Sequence, residues 1–348
     1  MLLVRKIIFV LSLLVSLFFL CNFFYKKYEW EMDLLKLGEN KMLEKVINCK
    51  SGNEVLYFSE SSNATFSEFD TTKQSIAQLI NTYFPKLDLV AIERGAIHAA
   101  VYKSLVKRIS ANTKVIIVTM NLRSFNSGWI NSKYENSCLE LQVANASLPE
   151  LLKKMMLVFK AYDYKDDWKR QGIYWRDMKS VKLKGAKPLQ FKTAFEWANY
   201  FTNVKFKDVS VISEKQKVEL VCQNIYSFAF NIDTLTNPRI NDYDDIVMLC
   251  KKKNIKVYFN LLAENVDYAD SLVGKELVTM MKENSDLLVD YYSRKGVQVI
   301  DNLELVKGKD FIDQNWTTEH YNEKGRMIIA TNVAHYLKQD YKEFYVDK

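Results

Sequence analysis

The sequence predicts an α/β fold, with a parallel sheet covered by helices on both faces, a mostly helical insertion and one apolar N-terminal helix. Three observations carry this. Short apolar runs recur along the chain, and Lys114 to Thr119 (KVIIVT) is the clearest of them. Strands buried on both faces read as continuous apolar runs rather than alternating ones. Longer segments with helical spacing separate the runs, and parallel neighbours need crossover connections of that length. The chain has 348 residues, enough for one large domain or two small ones. It is 48% apolar and 26% charged, with only 4 Pro and 10 Gly, which excludes disordered, collagen-like and linker-dominated chains.

The first element is the run from Ile7 to Phe24, broken only by Ser12, Ser16 and Asn22. At ~1.5 Å per residue it reaches about 27 Å, close to the hydrocarbon thickness of a bilayer. Arg5 and Lys6 precede it and Lys26 and Lys27 follow, while no small-x-small cleavage site ends it. Residues 1–27 are therefore read as an uncleaved signal anchor. A lipoprotein signal would want a small residue before Cys21, where bulky Leu20 stands. Positive charge on both flanks leaves the side of the membrane open. The expectation is an anchored protein whose remainder lies outside the cytoplasm, in the periplasm or at the cell surface.

Residues 28–50 form a polar, helix-prone neck. The next stretch, 51–125, holds three strands: Val55 to Phe58, Leu87 to Ile92 and Lys114 to Thr119. Helical spacing appears from Thr72 to Tyr83 and from Ala96 to Ile109. The segment 126–238 breaks this rhythm. It is rich in Lys and aromatics, including Trp168, Tyr174, Trp175, Phe191, Phe195, Trp197, Tyr200 and Phe201. It is read as a mostly helical insertion with one short strand, Val209 to Ile212. Those aromatics either pack the lobe or line a groove, since aromatic faces suit sugar rings and acyl groups. The pattern resumes over 239–348, with strands at Ile255 to Leu261 and Val297 to Ile300. Helices are expected there at about 241–253, 267–295 and 322–338.

Charge and cysteine usage narrow the function. The formal net charge is +7, spread along the chain without a dense Lys/Arg stripe, so no nucleic-acid partner is expected. The 5 Cys form no CxxC and the chain has only 3 His, so no metal site is expected. Two disulfides or buried free thiols both fit the cysteines beyond Cys21. There is no GxxxxGK[ST], no strand-following GxGxxG, no HExxH and no GxSxG, which argues against nucleotide, zinc-protease and α/β-hydrolase-elbow chemistry. The sequons at Asn63, Asn145 and Asn315 are treated as chance matches.

In an open parallel sheet, ligands bind at the carboxyl ends of the strands. The residues just after each strand are Ser59-Glu60-Ser61-Ser62-Asn63, then Glu93-Arg94-Gly95, then Met120-Asn121-Leu122-Arg123. Before the last helix comes Thr317-Thr318-Glu319-His320-Tyr321-Asn322-Glu323-Lys324-Gly325. A serine, a glycine, an asparagine and a histidine thus stand where one site could gather them. A serine hydroxyl needs a base, usually His, before it attacks a carbonyl. The resulting oxyanion needs fixed donors, which a Gly N–H and an Asn amide can supply.

These residues resemble the SGNH/GDSL hydrolase superfamily. Ser59-Glu60-Ser61 matches its first block, Gly95 its second, Asn121 after the KVIIVT strand its third, and His320-x-Asn322-x-x-Gly325 its ending. The resemblance covers about 50–125 and 240–340. It implies a flavodoxin-like three-layer α/β/α sandwich and ester hydrolysis or acyl transfer, without metal or organic cofactor. It assigns Ser61 as nucleophile, His320 as base, and the Ser61 N–H, Gly95 N–H and Asn121 amide as oxyanion donors. Arg123 and Glu60 become candidates for substrate binding. Membrane-anchored relatives often add or remove acetyl groups on surface or exported polysaccharides, so the expected partner is a carbohydrate or other acyl ester. The chain departs from the pattern in lacking the acid three residues before His320, where Thr317 stands. Asp313 is the candidate taken for the acid; Glu319 or a backbone carbonyl are its rivals. Ser59 and Ser62 are rivals for the nucleophile. His98 and His335 are read as structural, and Asn260 and Glu264 as residues that could approach the pocket. The altered blocks also motivate a second reading, a non-catalytic SGNH-like binding module in an envelope or polysaccharide assembly.

Overall fold

Five strands pair in parallel in the order β2-β1-β3-β4-β5: β1 (Glu54–Ser59), β2 (Asp88–Glu93), β3 (Val115–Met120), β4 (Lys256–Leu261) and β5 (Gln298–Asp301). The computed structural model describes residues 2–36, 41–52, 54–136, 139–144, 146–162, 166–185, 189–205 and 212–347. The strand order is the flavodoxin-like one, and the chain reverses its direction of travel across the sheet between β1 and β3. The carboxyl ends of those two strands therefore frame the crevice where such sheets bind ligands.

Alternate residues of each strand face opposite sides. Leu56, Phe58, Ile116, Val118, Phe259 and Leu261 join a core under the helices Ala99–Val106, Pro238–Lys252 and Lys275–Arg294. Val55, Tyr57, Val115, Ile117, Tyr258 and Ile300 join a second core under Ile76–Asn81 and Glu323–Leu337. Both faces are covered, which is why the strands carry no polar alternation. Each fully buried Val, Leu, Ile or Phe contributes roughly 1.5–3 kcal/mol relative to exposure.

The helix starts follow local chemistry. Ser75 and Gln78 form a reciprocal capping box at the 76–81 helix. Asn237 caps the next-but-several helix, whose first residue is Pro238, a position that needs no N–H. The single helix expected over about 267–295 is instead two, Val266–Leu272 and Lys275–Arg294. The cause is Gly274, whose φ of +118° no L side chain adopts easily and which breaks the helical path.

The insertion contains the helices Glu150–Val158, Asp167–Ser180, Ala194–Tyr200 and Ile212–Phe228, besides shorter turns. Its Met178, Trp197, Phe201, Val221 and Ile225 are continuous with the core on the first face of the sheet. Val209, Ser210 and Val211 of the expected short strand lie outside the described residues, and Ile212 opens a helix rather than closing a strand. Cys138 and the Asn145 sequon also lie outside them; Cys21, Cys49, Cys222 and Cys250 are free thiols. The N-terminal helix Leu2–Tyr28 is long and apolar enough to cross a membrane, and its apolar side chains are exposed.

Candidate active site

Glu60 leaves β1 in an extended conformation and the chain then makes one 3-10 turn, Ser61–Asn63. Asn63 fixes that turn: its Oδ1 accepts from the Ala77 N–H at 2.9 Å and its amide donates to Glu93. The Thr65 N–H and hydroxyl both donate to the Ser61 carbonyl, at 3.0 and 2.7 Å. Ser59 and Ser62 are fully buried, whereas Ser61 is half-buried. Its Oγ lies 2.9 Å from His320 Nε2. The Ser61 N–H opens the turn, where no intrahelical acceptor exists for it.

His320 is held from the other side of the sheet's end. Residues 310–312 run antiparallel to 320–322: the Ile312 N–H donates to the His320 carbonyl at 2.9 Å and the Asn322 N–H to the Asp310 carbonyl at 3.0 Å. This pairing returns Asp313 to the side of His320, and Asp313 Oδ2 is 2.5 Å from His320 Nδ1. The Thr318 hydroxyl donates to the same oxygen at 2.8 Å. A proton on Nδ1 then serves Asp313 and leaves the Nε2 lone pair for the serine hydroxyl.

Three residues at the start of the final helix brace this arrangement. Asn322 is its N-cap and accepts from the Gly325 N–H at 3.0 Å. A Cβ on Gly325 would sit 2.7 Å from the Asp310 carbonyl oxygen, so only glycine allows the 310–312 segment this close. Arg326 is fully buried and ties the serine loop to the histidine loop. It donates to the carbonyls of Thr65 (3.0 Å), Gln74 (3.0 Å) and Tyr321 (2.7 Å) and to Asp70 Oδ2 (2.8 Å).

Arg123 and Glu60, expected to bind substrate, both border the cleft that Ser61 and His320 share, and both also have partners within the protein. Arg123 pairs with Glu319 at 2.8 Å, donates to the Thr317 carbonyl and stacks 4.6 Å from the Trp129 ring centroid. Glu319 is thereby turned from His320. Glu60, Glu264 and Glu319 are all buried around this one guanidinium. Burial, reinforced by the Glu319 charge, pushes the Glu60 carboxyl up to about 8 despite Arg123. The same causes hold Glu264 well above the ordinary range. Glu264 thus joins the buried cluster behind the site, and Asn260 is spent on Tyr57 and Asn302.

The expected oxyanion set is only partly assembled. Asn121 is buried with its amide directed at Glu60 Oε1, 3.4 Å away, because a buried carboxyl takes the nearest donor. Gly95 lies in the exposed turn after β2, and its neighbour Ala96 (φ +59°) borders the cleft instead. The reason is local: the left-handed step falls one residue later than the glycine.

The Ser61 and His320 side chains open into a cleft of about 720 Å³. Its walls include Trp129, Tyr134, Tyr174, Tyr226 and Trp316. Of the aromatics singled out in the sequence, Tyr174 borders the cleft, Trp197 and Phe201 are core, and Trp168 is 83% exposed. Trp129, Tyr134, Tyr226 and Trp316 are additions to those aromatics; position beyond Asn121 or before His320 is the signal for Trp129, Tyr134 and Trp316, whereas Tyr226 comes from the helix Ile212–Phe228 and has no such signal. His98 is buried, 2.8 Å from Glu135, and edge-on to Trp129; burial, then the Arg239 charge, lowers its pKa. It is a structural support behind the cleft wall. His335 is exposed on the final helix.

No family model matches the chain, and no curated protein matches it. Among solved structures it is similar to a lipase from a goat rumen metagenome, at 10% identity and a TM-score of 0.35, over 81% of this chain and 96% of that one.

Proposed function

We propose that the protein is a membrane-anchored serine esterase or O-acyltransferase of the SGNH type, acting through an acyl-enzyme. The observation that carries this reading is the hydrogen-bonded chain Ser61–His320–Asp313 at the mouth of an aromatic cleft. His320 Nε2 takes the Ser61 proton as Oγ attacks the ester carbonyl. Asp313 stabilises the imidazolium that forms. The Ser61 N–H offers one donor to the oxyanion. His320 then returns the proton to the leaving alcohol. The acyl group passes from Ser61 to water in a hydrolase or to a sugar hydroxyl in a transferase. The aromatic walls suit a ring-bearing substrate such as an acetylated polysaccharide, and the Leu2–Tyr28 helix would hold the enzyme at the membrane.

The turned amide of Asn121 favours the second reading, a non-catalytic SGNH-like binding module in an envelope or polysaccharide assembly. Fluorophosphonate labelling of the full chain separates the two. Catalysis predicts labelling of the wild type that is lost in Ser61→Ala and His320→Ala. A folded wild type that stays unlabelled supports the binding module. Labelling that survives Ser61→Ala refutes the assigned nucleophile.

A further inference from the structure

The helix Glu150–Val158 carries apolar side chains that the fold does not cover. Met155 is 45% exposed, Val158 61% and Phe159, just beyond its end, 73%. With half-buried Leu151 they occupy positions i, i+4, i+7 and i+8, one continuous stripe. Glu150, Lys153 and Lys154 bind the foot of the N-terminal helix and the short helix that follows it, Trp30–Lys36. Lys154 pairs with Asp33 at 3.0 Å, Lys153 lies 5.3 Å from the Trp30 ring centroid, and Glu150 pairs with Lys26 at 3.5 Å.

A further bond sets the depth of the first turn of this helix. Asn22 Oδ1 accepts from the Leu151 N–H at 2.8 Å. That N–H belongs to the first turn, where helices leave donors without internal partners. Asn22 is inside the apolar run, six residues before Tyr28, so it lies about 9 Å further along the helix axis than Tyr28 at ~1.5 Å per residue. Tyr25, Lys26, Lys27, Tyr28 and Trp30 are the residue types that mark a membrane–water boundary. Leu151 is therefore drawn below that boundary, to the level where amphipathic helices lie in the plane of a leaflet.

We propose that Glu150–Val158 is an in-plane membrane element, with the Leu151, Met155, Val158 and Phe159 stripe entering the leaflet in which Leu2–Tyr28 ends. The inference rests on the anchored reading of Leu2–Tyr28. It seats the insertion on the bilayer at a second point, so the body is held by two contacts rather than swinging on one. The occupant of the stripe is lipid acyl chain, argued from its continuity with the exposed anchor helix.

The test uses the full chain in phosphatidylglycerol/phosphatidylcholine vesicles that contain a lipid with a photoactivatable acyl chain, the adducts being mapped by mass spectrometry. Adducts are expected on 2–28 and on 151–159. The double variant Met155→Glu/Phe159→Glu should lose those on 151–159 by roughly tenfold while keeping those on 2–28. Unchanged circular dichroism and thermal midpoint would show that this variant is folded. Adducts confined to 2–28 in the wild type overturn the inference and leave the anchor intact. Adducts on neither segment overturn the anchor and the inference with it. Chain-to-chain cross-links through 151–159 in place of lipid adducts would assign the stripe to a second copy and also overturn it.

Discussion

Asp313 Oδ2 lies 2.5 Å from His320 Nδ1 although the two stand seven positions apart in the chain. The contact exists because 310–312 and 320–322 pair antiparallel, so the intervening loop returns Asp313 to the imidazole. An acid three residues before the histidine would need no such pairing. Here the pairing replaces it.

Asp313→Asn tests what that contact does. An asparagine amide can donate to Nδ1 and so stabilise the wrong imidazole tautomer, leaving Nε2 protonated and unable to accept from Ser61. Fluorophosphonate labelling should slow by roughly 10³–10⁴-fold, with the fold unchanged. Glu319→Gln should not reproduce that loss, because Glu319 faces Arg123. A small effect of Asp313→Asn together with a large one of Glu319→Gln would assign the orienting acid to Glu319.

Gly325→Ala should destabilise despite the higher helix propensity of alanine. The gain is about 1 kcal/mol in an open helix. The added Cβ would meet the Asp310 carbonyl oxygen at 2.7 Å and Tyr321 Cβ at 2.9 Å, backbone and near-backbone atoms that cannot step aside. Overpacking of this kind costs about 1–3 kcal/mol. The strain falls on the segment that carries Asp313, so labelling should slow as well. A raised thermal midpoint with unchanged labelling would show that the close approach is not required.

The strands were legible because each has an apolar centre: Lys114 to Thr119 in the sequence became Val115–Met120, with both faces covered. The break at Gly274 was written in the sequence too, but helical spacing on either side masked it. Positions of the site residues follow from strand ends, and these were readable. Their rotamers and partners were not. Asn121 stands after β3 as expected, yet its amide goes to Glu60, a choice set by a carboxyl buried from another strand. The role of Arg326 depends on loops more than 250 residues away in sequence, such as Thr65 and Asp70, and no local pattern announces it. Four of the aromatic cleft walls, Trp129, Tyr134, Tyr174 and Tyr226, likewise come from an insertion whose placement on the sheet only tertiary packing decides.

Glu60→Gln tests the buried cluster through the pH dependence of stability. The Glu60 carboxyl is raised from its ordinary 4.5 to about 8 by burial and the Glu319 charge. Between those values the folded state holds a proton that the unfolded state has released. Stability from this group is therefore full below about 4.5, and is lost as pH rises toward 8. One such proton changes stability by at most ~1.4 kcal/mol per pH unit. Glutamine resembles the neutral acid and titrates nowhere in this range. The variant should therefore show a flatter decline in thermal midpoint from pH 5 to pH 8, measured in one detergent, and should gain on the wild type as pH rises. Glu264, raised by the same causes, leaves some slope in the variant. Parallel curves for the two proteins would mean that Glu60 is ionised throughout, held so by Arg123 against the cost of burial.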